Sequence, residues 1–220
     1  MDYKRLTLIC GHYGSGKTNV ALNIAYELKN TYDNVAIADL DIVNPYFRTK
    51  DSADELQSKG IKLICSEYAG TNVDIPALPQ QMYSLTDDKN IKAVLDIGGD
   101  DRGALALGRL SDAIISENDY EMLLVINKFR PLTPDAISTI EVLNEIEAAC
   151  RIKFTGLINN SNLGEETTAE HILSSLKYAN EVSKLSGLPI KFTSVSENCF
   201  NELKGKIQNI LPLKLQKKIN

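Results

Sequence analysis

The chain has 220 residues, 43% of them hydrophobic and 24% charged, with a formal net charge of −5. That is enough apolar material for one α/β domain of residues 1–220, without disulfides or a structural metal to hold it. The acidic balance gives no general pull toward nucleic acid, and no apolar run reaches the about 18 residues of a membrane span, so a cytoplasmic protein with no nucleic-acid partner and no membrane anchor is expected.

In chain order, strand-length apolar runs occupy residues 6–10, 35–39, 61–65, 93–97, 122–127, 154–159 and 190–195. Most are near-continuous rather than alternating, the pattern of strands buried on both faces of a parallel sheet. Between them, residues 17–29, 49–59, 134–151, 168–186 and 198–210 place apolar side chains at helical spacing. Thr133 before Pro134 is read as an N-cap, and Gly187 with Pro189 as the end of the helix that follows Thr168. The segment 67–88 is less regular and reads as a surface stretch bearing a short helix. Repeated strand–helix alternation predicts a doubly wound α/β fold, a mostly parallel sheet of about seven strands with helices on both faces.

Four cysteines (Cys10, Cys65, Cys150 and Cys199) are scattered without any Cys-x-x-Cys pair, which excludes zinc and iron–sulfur spacing. Cys10 and Cys65 each end an apolar run and are expected to be buried thiols.

The strongest signal is Gly11-His12-Tyr13-Gly14-Ser15-Gly16-Lys17-Thr18, which fits Gly-x-x-x-x-Gly-Lys-Thr between an apolar strand and a helix. In such a loop the glycines let backbone N–H groups close around a phosphate, and the helix that follows aims its positive end at the same anion. The lysine supplies a cation to the β- and γ-phosphates and the threonine hydroxyl ligates Mg²⁺. Gly11, Gly14, Ser15, Gly16, Lys17, Thr18 and Asn19 are therefore the expected nucleotide-binding residues. The expected cofactors are ATP and Mg²⁺. Two apolar runs end in acids, Asp96 in one case and Asp39 with Asp41 in the other, and a phosphate loop needs a carboxylate near its metal.

Gly-Ser-Gly-Lys-Thr, then Asp39-Leu40-Asp41 with Asn44-Pro45-Tyr46-Phe47-Arg48, then Leu95-Asp96-Ile97-Gly98-Gly99, resemble the MinD/ParA/CobQ-type (SIMIBI class) P-loop ATPases over most of the chain. The resemblance implies that Asp41 orients the attacking water, so that Lys17 and Asp41 are the catalytic candidates. It implies that Asp39 and Asp96 act with Thr18 on Mg²⁺. It also implies that an asparagine ending a later strand reads adenine; Asn159 and Asn160 both fit that place.

The chain departs from many such ATPases at position 12, where they carry a second lysine that reaches across a dimer. His12 cannot supply the same constant charge. It has two readings, a contact to phosphate or substrate and simple packing beside Tyr13. Arg102 is a further candidate cation, although an arginine in an acidic loop is more often solvated. Asn127-Lys128-Phe129-Arg130 is similar to the Asn-Lys-x-Asp guanine reader, but an arginine offers donors where guanine needs acceptors, which favours ATP over GTP. The lysine-rich segment after Phe200 is read as a solvated basic helix face interrupted by Pro212.

These features predict an ATPase or nucleotide-driven switch acting on an unidentified protein partner, with a homodimer among its possible assemblies. One alternative is an ATP-dependent small-molecule kinase or synthetase whose acceptor pocket uses residues 44–50 and 71–81. Others are a GTP-binding protein and a non-hydrolysing scaffold.

Overall fold

Runs that are apolar on both sides must be covered on both sides, and the chain does this by stacking them into one parallel sheet between helices. The computed structural model describes residues 1–40, 52–65, 80–98 and 101–216, with backbone alone at 80, 101 and 102. The strands are β1 (Leu6–Cys10), β2 (Val35–Leu40), β3 (Lys62–Cys65), β4 (Lys92–Ile97), β5 (Tyr120–Ile126), β6 (Gly156–Asn159), β7 (Ile190–Ser196) and β8 (Ile210–Leu213). The helices are α1 (Lys17–Lys29), α2 (Ala53–Ser58), α3 (Gln80–Asp87), α4 (Asp101–Gly108), α5 (Ser111–Glu117), α6 (Ala136–Cys150), α7 (Ala169–Ser186) and α8 (Glu197–Leu203). The sheet order is β3-β2-β4-β1-β5-β6-β7-β8, and every neighbouring pair is parallel. The chain leaves β1 toward one edge and returns to build the other side from β5, which makes the C-terminal end of β1 the topological switch point where such sheets bind ligands.

Alternation along β1 divides the core. Leu6, Leu8 and Cys10 face a cluster that includes Leu143 and Ile146 of α6, whereas Ile9 faces Val20, Ile24 and Leu28 of α1. Leu8, Ile9 and Ile24 are wholly buried, each contributing about 1.5–3 kcal/mol of transfer free energy. The doubly wound α/β class is as the sequence predicts, with eight strands among the described residues where about seven are expected.

The additional strand lies in the stretch read as a basic helix. Helix α8 stops at Leu203, and Gly205 then takes a left-handed φ of 86° that a continuing helix cannot hold. Residues 210–213 turn back as β8, at the outer edge of the sheet. Pro212 has no N–H to give a further neighbour, which an edge position tolerates.

Other boundaries also move. The side chain that caps α6 is Asp135, which accepts from Ser138 N at 2.9 Å, while Thr133 Oγ1 donates to Asn127 O at 3.0 Å. Gly187 ends α7 as expected, and Thr168 caps its start, with His171 completing a capping box. Helices α4 and α5 follow β4, where the sequence reading placed no helix. Cys10 is buried, but Cys65 is only half-buried, because β3 is the sheet's other edge. Among the described residues no helix is long and apolar enough to cross a membrane.

Candidate functional site

The loop between β1 and α1 closes against the strands beside it. A Cβ on Gly11 would stand 2.5 Å from Val125 O and 2.8 Å from Ser15 Oγ, so only glycine allows the chain to turn there. The turn is tied by Ser15 N donating to His12 O at 3.0 Å. Gly16 has a left-handed φ of 89°, and a Cβ on it would meet Asn160 Nδ2. It occupies the N-cap of α1 without any side-chain cap, and no acid lies in the first turn. Without a capping side chain, the start of α1 presents its positive dipole end toward the loop, the arrangement that favours an anion there.

Lys17 and Thr18 start that helix and are both buried. Ser15 is buried as well, and among the described residues its Oγ has no hydrogen-bond partner. The tip of the loop is more open: Tyr13 is exposed, and the His12 ring lies with Nδ1 3.3 Å from Tyr13 O.

The acids predicted to attend a metal come from adjacent strands. Asp39 on β2 and Asp96 on β4 are direct register partners, and Asp96 is also level with Ile9 of β1. Both stand at the C-terminal edge of the sheet, where the loop lies. Asp96 is wholly buried. Two carboxylates and a hydroxyl, as Asp39, Asp96 and Thr18 would supply, make the oxygen-only kind of donor set that suits a hard divalent cation such as Mg²⁺. Among the described residues no three His, Cys, Asp or Glu side chains gather into a metal-holding group; the candidate set needs only two. Burial pushes the Cys10 thiol far above its usual value, and nearby Cys150 and Asp96 add to this against Lys17, so Cys10 is an inert packing group here.

The two asparagines at the end of β6 have different surroundings. Asn159 is wholly buried; its Nδ2 donates to Ser175 Oγ at 2.9 Å and its Oδ1 accepts from Ser161 Oγ at 2.8 Å. Asn160 Nδ2 donates to Ser15 O at 2.6 Å, and its Oδ1 accepts from Ser194 Oγ, so it braces the phosphate loop from β6. Asn160 also borders a cleft whose walls include Thr167, Ile172, Ser194, Val195 and Leu213. Asn19, expected among the ligand-binding residues, turns its Oδ1 to Gln216 N at 2.8 Å.

Arg130 also reaches the loop. It sits in the β5–α6 turn with its side chain against Gly14, and its buried Nε has no hydrogen-bond partner among the described residues. Asn127 is spent internally, its Oδ1 accepting from Phe129 N at 3.0 Å and from Asn162 N at 3.3 Å. Asp41, residues 44–50, residues 71–79, Gly99 and Asp100 lie outside the described residues, as does the side chain of Arg102.

A parallel α/β sheet with this loop at its switch point is the fold of P-loop nucleoside triphosphatases. Solved structures share it. FtsY from Mycoplasma mycoides superposes with a TM-score of 0.56 at 20% identity, over 90% of this chain and 62% of that one. The signal recognition particle receptor FtsY from Elizabethkingia anophelis, in complex with GDP, gives 0.52 at 16% identity, over 90% and 59%. A nucleotide-binding protein from Archaeoglobus fulgidus, in complex with ADP, gives 0.50 at 13% identity, over 89% and 84%. The chain therefore spans about three fifths of the length of these FtsY structures. No protein-family profile and no curated protein matches the sequence.

Proposed function

We propose that the chain is a Mg²⁺-dependent ATPase of MinD/ParA/CobQ type, folding as one domain and using nucleotide turnover to change its grip on a partner protein. The observation that carries this reading is the uncapped start of α1 with Lys17 and Thr18 buried beneath the loop. A lysine at the start of a helix whose N-cap offers no side chain stands where the helix dipole and its own charge both favour a phosphate. In this reading Lys17 stabilises charge on the transferring phosphoryl group, while Thr18, Asp39 and Asp96 hold Mg²⁺, which draws electron density from the phosphate oxygens. Asp41 is assigned the attacking water by resemblance. By the same resemblance the base is assigned to the side of the loop that Asn160 borders. Asn159 then serves as the internal brace of β6.

ATP is preferred because the place where a guanine reader needs a carboxylate holds Arg130. GTP is the second reading, favoured by the likeness to an FtsY whose structure contains GDP. Titration calorimetry with ATP and GTP, with and without Mg²⁺, tests both. Tighter ATP binding that is lost in Lys17→Ala is the expected result. GTP preference would overturn the base assignment, and binding that survives in Lys17→Ala would overturn the site itself.

A further inference from the structure

We propose that Arg130 is a phosphate-binding residue of this site, supplying from the β5–α6 turn the second cation that position 12 lacks. The proposal rests on the loop being the nucleotide site and adds to it a residue that neither the loop motif nor the acidic strand ends include.

Three observations carry it. The guanidinium lies against the loop: Arg130 Nε, Cδ and Cζ are 3.5, 3.6 and 3.8 Å from where a Cβ on Gly14 would stand. Among the described residues its buried Nε has no hydrogen-bond partner, and no carboxylate forms an ion pair with it. Its backbone is fixed, with Arg130 N donating to Asn127 O at 3.2 Å and Thr133 N donating to Arg130 O at 3.1 Å. Thr133 Oγ1 also donates to Asn127 O at 3.0 Å, and Asn127 is wholly buried.

A guanidinium has five N–H donors and keeps its charge at any working pH. Holding one with a buried, unbonded nitrogen is unfavourable unless something else accepts from it. What stands beside it is the loop that the proposed function assigns to phosphate, and a planar fork of donors suits phosphate oxygens. Gly14 presents no side chain between the guanidinium and the loop backbone. The arginine that fails as a guanine reader thus has the position, charge and unsatisfied donor of a phosphate ligand acting in cis.

The test compares wild type, Arg130→Ala, Arg130→Lys and Lys17→Ala in the full chain, titrated with AMP, ADP, ATP and inorganic pyrophosphate. Melting of each ligand-free protein is measured alongside. Arg130→Ala is expected to weaken ADP, ATP and pyrophosphate binding about 10-fold or more and AMP far less, since a charge-assisted bond to phosphate is lost. Arg130→Lys should recover only part, because it keeps the charge without the fork. The ligand-free Arg130→Ala protein should melt no lower than wild type, since the Nε has no bond to lose. ATP affinity within twofold of wild type in Arg130→Ala, with Lys17→Ala inactive in binding, would overturn the role of Arg130 and leave the site standing. Equal losses for AMP and ATP, or a lowered melting point, would show a structural residue instead. Failure of wild type to bind any of the four ligands would overturn the site reading and the proposal together.

Discussion

Asn23 and Lys214 are joined by two hydrogen bonds: Asn23 Nδ2 donates to Lys214 O at 2.9 Å, and Lys214 N donates to Asn23 Oδ1 at 2.9 Å. A side-chain amide of α1 thus pairs with the chain just beyond β8 as a neighbouring strand would. One turn earlier Asn19 accepts from Gln216 N, and the two asparagines share a helix face at i and i+4. Leu213 and Leu215, on the alternate side, border the cleft beside Asn160. The segment goes on to α2 and its N-cap, through Lys214 Nζ to Glu55 at 2.7 Å and Gln216 Nε2 to Ser52 at 2.9 Å. Asn23→Ala should leave both backbone groups of Lys214 without partners and lower stability by about 1–2 kcal/mol. Urea unfolding measures the loss, and faster amide exchange at Lys214 and Gln216 locates it. Unchanged exchange there would show that the asparagine pair does not hold the segment.

The direct pairing of Asp39 with Asp96 across β2 and β4 puts the metal assignment at risk in one experiment. Asp96→Asn keeps the size of the side chain and removes its charge. If the pair serves Mg²⁺, the gain in ATP affinity on adding Mg²⁺ should shrink about 10- to 100-fold, while affinity without metal stays close to wild type. A variant that keeps the whole Mg²⁺ effect would place the ion elsewhere.

Asn160 tests the proposed link between the base and the phosphate loop. Asn160→Asp puts a carboxylate oxygen where Nδ2 now donates to Ser15 O. Two acceptors then face each other in a buried setting, which repels rather than braces. ATP affinity is expected to fall about 10-fold, with pyrophosphate affinity falling too because the loop itself is disturbed. A loss confined to ATP would instead show that Asn160 acts on the base alone.

Much of this site was legible because its chemistry is written locally. Gly11 to Thr18 are contiguous, and Asp39 and Asp96 end runs too apolar to be anything but buried strands. What the sequence could not show was set by register and by distant contacts. Asn159 and Asn160 are neighbours on a period-two element, so one faces Ser175 while the other faces the loop, and nothing local decides which. Residues 210–213 form a strand only because the edge of β7 accepts them, and four residues carrying a proline hold little signal of their own. Arg130 looked like a failed motif until the turn brought it against Gly14.

The far end of the sheet carries a pH-dependent brace that sits apart from the ligand site. Glu117 accepts from Arg5 and, at 2.7 Å, from Lys89 Nζ. Arg5 also donates to Leu85 O at 2.9 Å, Asp88 O at 3.2 Å and Ile91 O at 2.9 Å, clamping the turn that leads into β4. Burial would by itself raise the Glu117 carboxyl, but the bonds from Arg5 and Lys89 outweigh it and hold the carboxyl below its ordinary 4.5. A carboxyl held lower in the folded chain binds fewer protons there than in the unfolded chain, so its stabilisation is complete above about pH 5 and is lost as pH falls through the folded value. Glu117→Gln should lower stability at pH 7 by about 3 kcal/mol, since it leaves the buried Arg5 charge uncompensated. Its stability should then fall less steeply than that of wild type on acidification below pH 5, other carboxyls being common to both. Urea unfolding of the two proteins at pH 7, 5, 4 and 3 measures the difference. Curves that stay parallel over that range would mean that Glu117 carries no proton-linked stability.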